Sequence, residues 1–198
     1  MNNIGVYSWS PVGIAVAFTA TLPTPSERAE ARAAGFRQRV YDEDWDPIGL
    51  FIWDHDSGEI EQFEMPGSVF GMDWSPDGSR LALAIAPRPH PYDGKMFKLL
   101  QVLDVASGSV RKLGDNPGKL GAFAFSPDGA SIAYIGAADK RDPHAGMLYL
   151  ADANSGAVTD LTPGWKGMAH SFEWMDTGTI RAVISRGVEQ RVSDFDVA

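Results

Sequence analysis

Three adjacent carboxylates, Asp42-Glu43-Asp44, stand between Tyr41 and Trp45, with Asp46 just beyond. Such a run concentrates negative potential, so it can attract a cationic peptide group or pair with arginines across a domain interface. The plainer reading is a solvated charge run, or one paired within its own loop to Arg37 and Arg39, and exposed pairs of that kind contribute little. Trp45 equally serves ordinary loop packing. Asp42, Glu43, Asp44 and Trp45 are the candidate substrate-binding or interface residues.

Catalytic chemistry finds less support. Gly129-Ala130-Ser131-Ile132-Ala133 approximates Gly-x-Ser-x-Gly, but a nucleophile elbow must join a strand to a helix so that the hydroxyl is lifted toward oxyanion-stabilising amides. Here the serine enters a strand directly after a hairpin turn. His55, His90, His144 and His170 fall in turns, in loops or beside a strand, and assemble no triad. No catalytic residue is therefore expected in this chain. Asp54-His55-Asp56-Ser57-Gly58-Glu59 alternates carboxylates as a calcium loop does. Its counterpart Asp104-Val105-Ala106-Ser107-Gly108 has one carboxylate, so the slot calls for a turn and no metal or cofactor is expected. Asp54, Asp104 and Asp152 are expected to accept bonds from backbone amides.

The elements that would position these residues are set by repetition. A Trp or Phe leads into a Ser-Pro-Asp-Gly turn at Trp74 and Phe125, and variants of the same unit occur at Trp9 and Trp174. The intervals are 65, 51 and 49 residues, while Asp54, Asp104 and Asp152 mark a second turn recurring at 50 and 48. This is the period of a propeller blade. Each unit reads as strand, tight turn, strand, connection, strand, tight turn, strand, for example Ser68 to Trp74, Ser79 to Ala86, Met96 to Asp104 and Ser109 to Leu113. Proline presets the turn, aspartate bonds back to its amides and glycine takes the positive φ. Nearly continuous apolar runs such as Leu81–Ala86 suit strands covered on both faces.

The fold class is therefore all-β: one domain over residues 1–198, an incomplete β-propeller of about three four-stranded antiparallel blades plus part of a fourth. Asp196-Val197-Ala198 reads as the start of another turn of the second kind. An open arc exposes apolar sheet faces and edges, which favours self-association; a small complete domain with an unusual open arc is the alternative. Net charge is −9 with basic residues scattered, so nucleic acid is not an expected partner. No stretch is apolar enough for a membrane span. The absence of cysteine and of a leader at Met1–Val6 fits a cytoplasmic protein.

The long first interval locates an insertion, residues 22–47, between the second and third strands of the first unit. Thr24-Pro25-Ser26-Glu27 reads as a capping box with Pro at the first helical position, Ala29–Ala34 is rich in helix formers and Gly35 can end the helix. It is the one helix expected. In such a meander the second-to-third connections, Leu22–Pro47, Pro87–Lys95 and Ala137–Gly146, share one face, which is the expected working face.

A helical insertion followed by Phe36-Arg37-Gln38-Arg39-Val40-Tyr41-Asp42-Glu43-Asp44-Trp45, then Leu50-Phe51-Ile52-Trp53-Asp54 and the repeated turns, resembles the propeller of the prolyl oligopeptidase family of serine peptidases, closest to acylaminoacyl-peptidases. The blade repeats are shared with TolB-like propellers. The resemblance implies a non-catalytic propeller that covers the active site of an α/β-hydrolase domain and restricts access to short peptides. Its implied partners are that domain, the remaining blades and peptide substrate. This chain carries no hydrolase domain. The alternative is a TolB-like or WD-type protein-interaction scaffold without an enzyme; against the WD type, Trp-Asp opens a repeated turn only at Trp53-Asp54 and the Gly-His marker is missing.

Overall fold

The computed structural model describes residues 2–114, 116, 118–141 and 146–197. Four sheets follow one another along the chain, each built from strands consecutive in sequence. Blade 1 comprises β1 (Asn2–Trp9), β2 (Ala15–Thr21), β3 (Ile48–Asp54) and β4 (Ile60–Phe63), with helix α1 (Ser26–Ala33) between β2 and β3. Blade 2 comprises β5 (Ser68–Trp74), β6 (Arg80–Ala86), β7 (Leu99–Asp104) and β8 (Val110–Lys112), with helix α2 (Pro91–Met96) between β6 and β7. Blade 3 comprises β9 (Leu120–Phe125), β10 (Ser131–Gly136), β11 (Met147–Asp152) and β12 (Val158–Asp160). Blade 4 has three strands, β13 (Met168–Trp174), β14 (Thr179–Arg186) and β15 (Glu189–Asp196).

The first hairpin of each inner blade is closed by the residues that mark the repeat. In blade 2 the Ser75 hydroxyl accepts the Arg80 N–H at 2.9 Å and donates to Asp77 Oδ1 at 2.6 Å, while Gly78 takes φ +70°. In blade 3 Ser126 and Asp128 repeat the same bonds at 3.0 and 2.6 Å. The Ser75 hydroxyl and the Ser79 amide and hydroxyl hold the Asp77 carboxyl down at about 2. At the second hairpin Asp54, Asp104 and Asp152 each accept the backbone N–H of the serine three residues on, as expected from their turn position.

Between blades, large residues of one sheet meet small or aliphatic ones of the sheet before it. Trp74, Leu81 and Leu83 of blade 2 pack on Ala17, Leu50 and Ile52 of blade 1. Phe125, Ile132 and Tyr134 of blade 3 pack on Ala82, Ala84 and Val102 of blade 2. Each fully buried Leu or Ile contributes roughly 1.5–3 kcal/mol. The marker aromatics also stitch the blades with polar bonds: Trp74 Nε1–H donates to the Ser8 carbonyl and Trp174 Nε1–H to the Ala124 carbonyl, both at 3.2 Å. Where the marker is Phe125, the Asp73 carboxylate accepts its backbone N–H at 2.9 Å instead.

Two details depart from expectation. The capping box does not form: Pro25 is the N-cap of α1, with no side-chain cap bond, and Gly35 at φ +99° ends the helix. A second helix, α2, replaces the early part of the strand expected from Met96, so β7 begins at Leu99. Its signal is His90-Pro91: the imidazole accepts the Tyr92 N–H at 3.1 Å and proline takes the first turn, where its missing donor costs nothing. Gly94 in the middle hides this short helix from a propensity count.

Candidate functional site

Helix α1 fixes the insertion loop from one side. The Arg28 guanidinium reaches Asp44 at 3.6 Å and also pairs with Asp46. Asp44 turns its other oxygen inward, accepting the Val40 N–H at 2.6 Å. The Trp45 indole N–H donates to the Tyr41 carbonyl, and the Arg39 guanidinium lies over the Trp45 ring at 4.8 Å. Two of the four candidate residues, Asp44 and Trp45, therefore spend their polar atoms shaping the loop. Glu43 is exposed, and Asp42 projects with its side chain 84% exposed.

The loop meets the blade 2 connection at His90. Tyr41, Trp45 and His90 contact one another edge to face, with ring centroids 5.4–5.7 Å apart. Because His90 Nδ1 accepts the Tyr92 N–H, the neutral ring carries its proton on Nε2. That nitrogen is buried without a hydrogen-bond partner and faces Asp42 Oδ1 at 3.5 Å. Behind it, Arg88 grips the buried Asp93 through two bonds of 2.8 Å, which hold the Asp93 carboxyl below its ordinary value.

These groups line a cleft of about 530 Å³ formed by Tyr41, His90, Pro91 and Tyr92 with the charged residues Asp42, Arg88 and Lys95. Aromatic walls beside an exposed carboxylate suit a ligand with a cationic group and an apolar body. Among the described residues, the cleft places no nucleophile beside a base.

Ser131 opens β10 directly after the hairpin turn, with its backbone bonded into the Ser126 turn. His55 lies in a turn against Trp53, and His144 lies outside the described residues. His170 Nε2 and Ser185 Oγ are 3.0 Å apart on blade 4, a pairing the sequence did not reveal. Ser185 sits on a central strand, paired to Met168 on one side and Gln190 on the other. Amides committed to a ladder cannot form an oxyanion hole.

No protein-family model matches the chain, and no curated protein does. Solved structures do. TolB from Acinetobacter baumannii matches 98% of this chain with 14% identity and a TM-score of 0.53, over 43% of its own length. The chain has a propeller fold. The tricorn protease matches 90% of it with 15% identity and a TM-score of 0.58, over 16% of its own length. The chain thus spans less than half of either propeller-bearing neighbour. At these identities the likeness concerns the fold alone.

Proposed function

We propose that this propeller segment is the non-catalytic, access-restricting part of a prolyl oligopeptidase-family serine peptidase of the acylaminoacyl-peptidase kind, docking on an α/β-hydrolase domain outside this chain. The observation that carries the reading is the Asp42 cleft. An insertion that a bare propeller does not need is braced by Arg28 and Arg39, and it presents one exposed carboxylate beside aromatic walls on the face where the long connections emerge. Asp42 serves as the contact for a cationic peptide group, with Glu43 adding to the local field. Asp44 and Trp45 hold the loop in shape. One of the two structural neighbours is by its name a protease, which accords with this reading.

The second reading, a TolB-like interaction scaffold without an enzyme, is favoured by the TolB match, which runs over nearly the whole chain. The gene sequence flanking this segment separates the two: a nucleophile elbow with later Asp and His supports the peptidase, and blades alone overturn it. The cleft itself is tested by fluorescence anisotropy with a labelled peptide beginning in lysine, against the same peptide with glutamine and a blocked amine. Asp42→Asn should weaken the cationic peptide about threefold to tenfold at low salt and leave the neutral one unchanged. Equal affinities for both peptides would remove the cleft from the argument.

A further inference from the structure

A second cleft opens where blades 2 and 3 join, on the face where the long connections emerge. Strand β6 ends at Ala86 and β7 begins at Leu99. Antiparallel pairing brings the end of β8 to the same edge, with the Leu113 N–H bonded to the Leu100 carbonyl at 2.9 Å, and sets the start of β9 against the end of β10 through Leu120 and Gly136. The cleft has a volume of about 370 Å³, with Pro87, Phe97, Lys98, Leu99, Asn116 and Lys140 in its lining. That is near the lower end of the roughly 300–1,000 Å³ common for ligand pockets, so it suits a terminal group better than a whole chain.

Its lining combines charge, an idle acceptor and apolar surface. Lys98 is half-buried, and burial pushes its ammonium pKa down with no carboxylate of the described residues acting in the opposite sense. Lys140 adds an exposed cation, and among the described residues no carboxylate lines the cleft. In a chain of net charge −9, a partly desolvated ammonium without such a partner favours an incoming anion. Asn116 is 8% exposed, and its Nδ2 donates to the Lys98 carbonyl at 2.8 Å and to the Gly118 carbonyl at 2.9 Å. Two carbonyl partners fix the orientation of the amide. The buried atom left without a partner is therefore Oδ1, which calls for an N–H. Pro87, Phe97 and Leu99 supply the apolar surface.

We propose that this cleft takes the C-terminal residue of a peptide. Lys98 pairs with the α-carboxylate, Asn116 Oδ1 accepts that residue's amide N–H, and Pro87, Phe97 and Leu99 cover an apolar side chain. A terminal residue carries carboxylate, N–H and apolar body on one Cα, whereas an acidic side chain holds its carboxylate on a flexible stem and brings no apolar body. Phe97 also meets Tyr92 edge to face, with ring centroids 5.5 Å apart, and Tyr92 lines the Asp42 cleft. One aromatic pair thus joins a cleft suited to a cationic group to one suited to a carboxylate. The proposal rests on the peptide reading above and extends it to the other end of the ligand.

The probe is an acetylated tripeptide ending in leucine with a free carboxylate, titrated calorimetrically into the full chain; having no cationic end, it reads this site apart from the Asp42 cleft. Binding is expected with a Kd of about 0.1–1 mM. The same peptide with a C-terminal amide should bind about tenfold more weakly, and one methylated on the nitrogen of its last peptide bond about threefold to tenfold more weakly. An acetylated peptide amide ending in aspartate, whose one carboxylate is on a side chain, should bind no better than the leucine amide. Lys98→Met keeps the stem and removes the charge. It should weaken the free acid about tenfold and yet raise the urea midpoint, because a lysine whose folded-state pKa lies below its unfolded one works against the fold at neutral pH. Absence of binding, or equal binding of acid and amide, overturns the proposal. So does a lower urea midpoint in Lys98→Met, which would make Lys98 a structural group, and so does an aspartate peptide that matches the free acid, which would assign the cleft to acidic side chains. Unchanged binding of the methylated peptide overturns the role of Asn116. If the peptide beginning in lysine ignores Asp42→Asn while the acid still outbinds the amide, the Asp42 cleft falls and this site stands.

Discussion

The arc has two uncovered sheet faces, and they are unlike. On the blade 1 side Ile4, Tyr7, Trp9, Phe18, Trp53 and Ile60 form one apolar surface, and Trp9 is 60% exposed although Trp74, at the same place in the next unit, is 7% exposed. On the blade 4 side the residue that follows the marker's strand partner is Arg181, bound to Asp194 through two bonds of 2.8 and 2.9 Å. Ala17, Ala82 and Ala133 hold that register position in blades 1 to 3, each where the next blade approaches. A methyl group at this position lets a second sheet close in. An ion pair there makes covering the face costly, because both charges must lose water. One face thus presents apolar surface and the other a charged pair, although both belong to the same repeat.

The sharpest way to break this comparison is to move the arginine. Ala82→Arg puts the blade 4 residue into the buried contact between blades 2 and 3, where it meets no carboxylate and no space. The loss should be about 5 kcal/mol or more, enough to abolish the cooperative urea transition. A folded variant with an ordinary transition would mean that sheet spacing is not set at this position.

Next in size is the pair of equivalent tryptophans. Trp74→Ala removes a buried ring and its bond to the Ser8 carbonyl and should cost about 3–5 kcal/mol. Trp9→Ala should change monomer stability by less than about 0.5 kcal/mol, yet lower self-association in sedimentation velocity, because it trims the uncovered apolar face. Equal stability losses would show that Trp9 is already covered within the chain.

The repeat made most of this legible. Ser-Pro-Asp-Gly turns and the second aspartate turns fixed the hairpins, so strand order and an incomplete fourth blade followed from spacing. What stayed hidden depends on contacts between segments distant in sequence. The approach of His90 to Tyr41 and Asp42 joins loops of two different blades, and no local pattern encodes it. The acidic run looked uniform in sequence, but Arg28, in the first turn of α1, divides it by claiming Asp44 and Asp46 and leaving Asp42 outward. The polarity of the blade 4 face was readable in principle, since Arg181 stands where three alanines stand in the other units. Seeing it required the strand register.

Acid should loosen the first turns of blades 2 and 3. Asp77, held at about 2, stabilises the fold fully above the ordinary value of 3.8, and that contribution is lost as pH falls from about 4 toward 2. Asp128 is shifted in the same direction by Ser126 and the Ala130 amide. Asp73 has the opposite sign: burial raises its pKa, so protonation favours the folded state and partly offsets the loss as pH drops toward 4. Urea midpoints at pH 5 and pH 3 should therefore differ less in Asp77→Asn than in the parent chain. In Asp73→Asn, whose amide oxygen can still accept the Phe125 N–H, they should differ more. The same ordering for both variants would refute these assignments.

The smallest effect separates an end blade from an inner one. In blade 1 the first turn keeps the backbone of blade 2, with Ser10 N–H bonded to the Ala15 carbonyl at 2.9 Å and Gly13 at φ +72°, but Val12 stands where Asp77 stands in blade 2. The Ser10 hydroxyl donates to the Val12 carbonyl at 2.6 Å for want of a carboxylate. Val12→Asp restores that acceptor and should add about 0.5–1 kcal/mol at neutral pH, less whatever the valine contributes by packing over Gly78. The gain must fall away as pH drops from about 4 toward 2, as for Asp77. A gain that persisted in acid would come from something other than the turn, and its absence at neutral pH would mean that the end blades differ from the inner ones by more than this one residue.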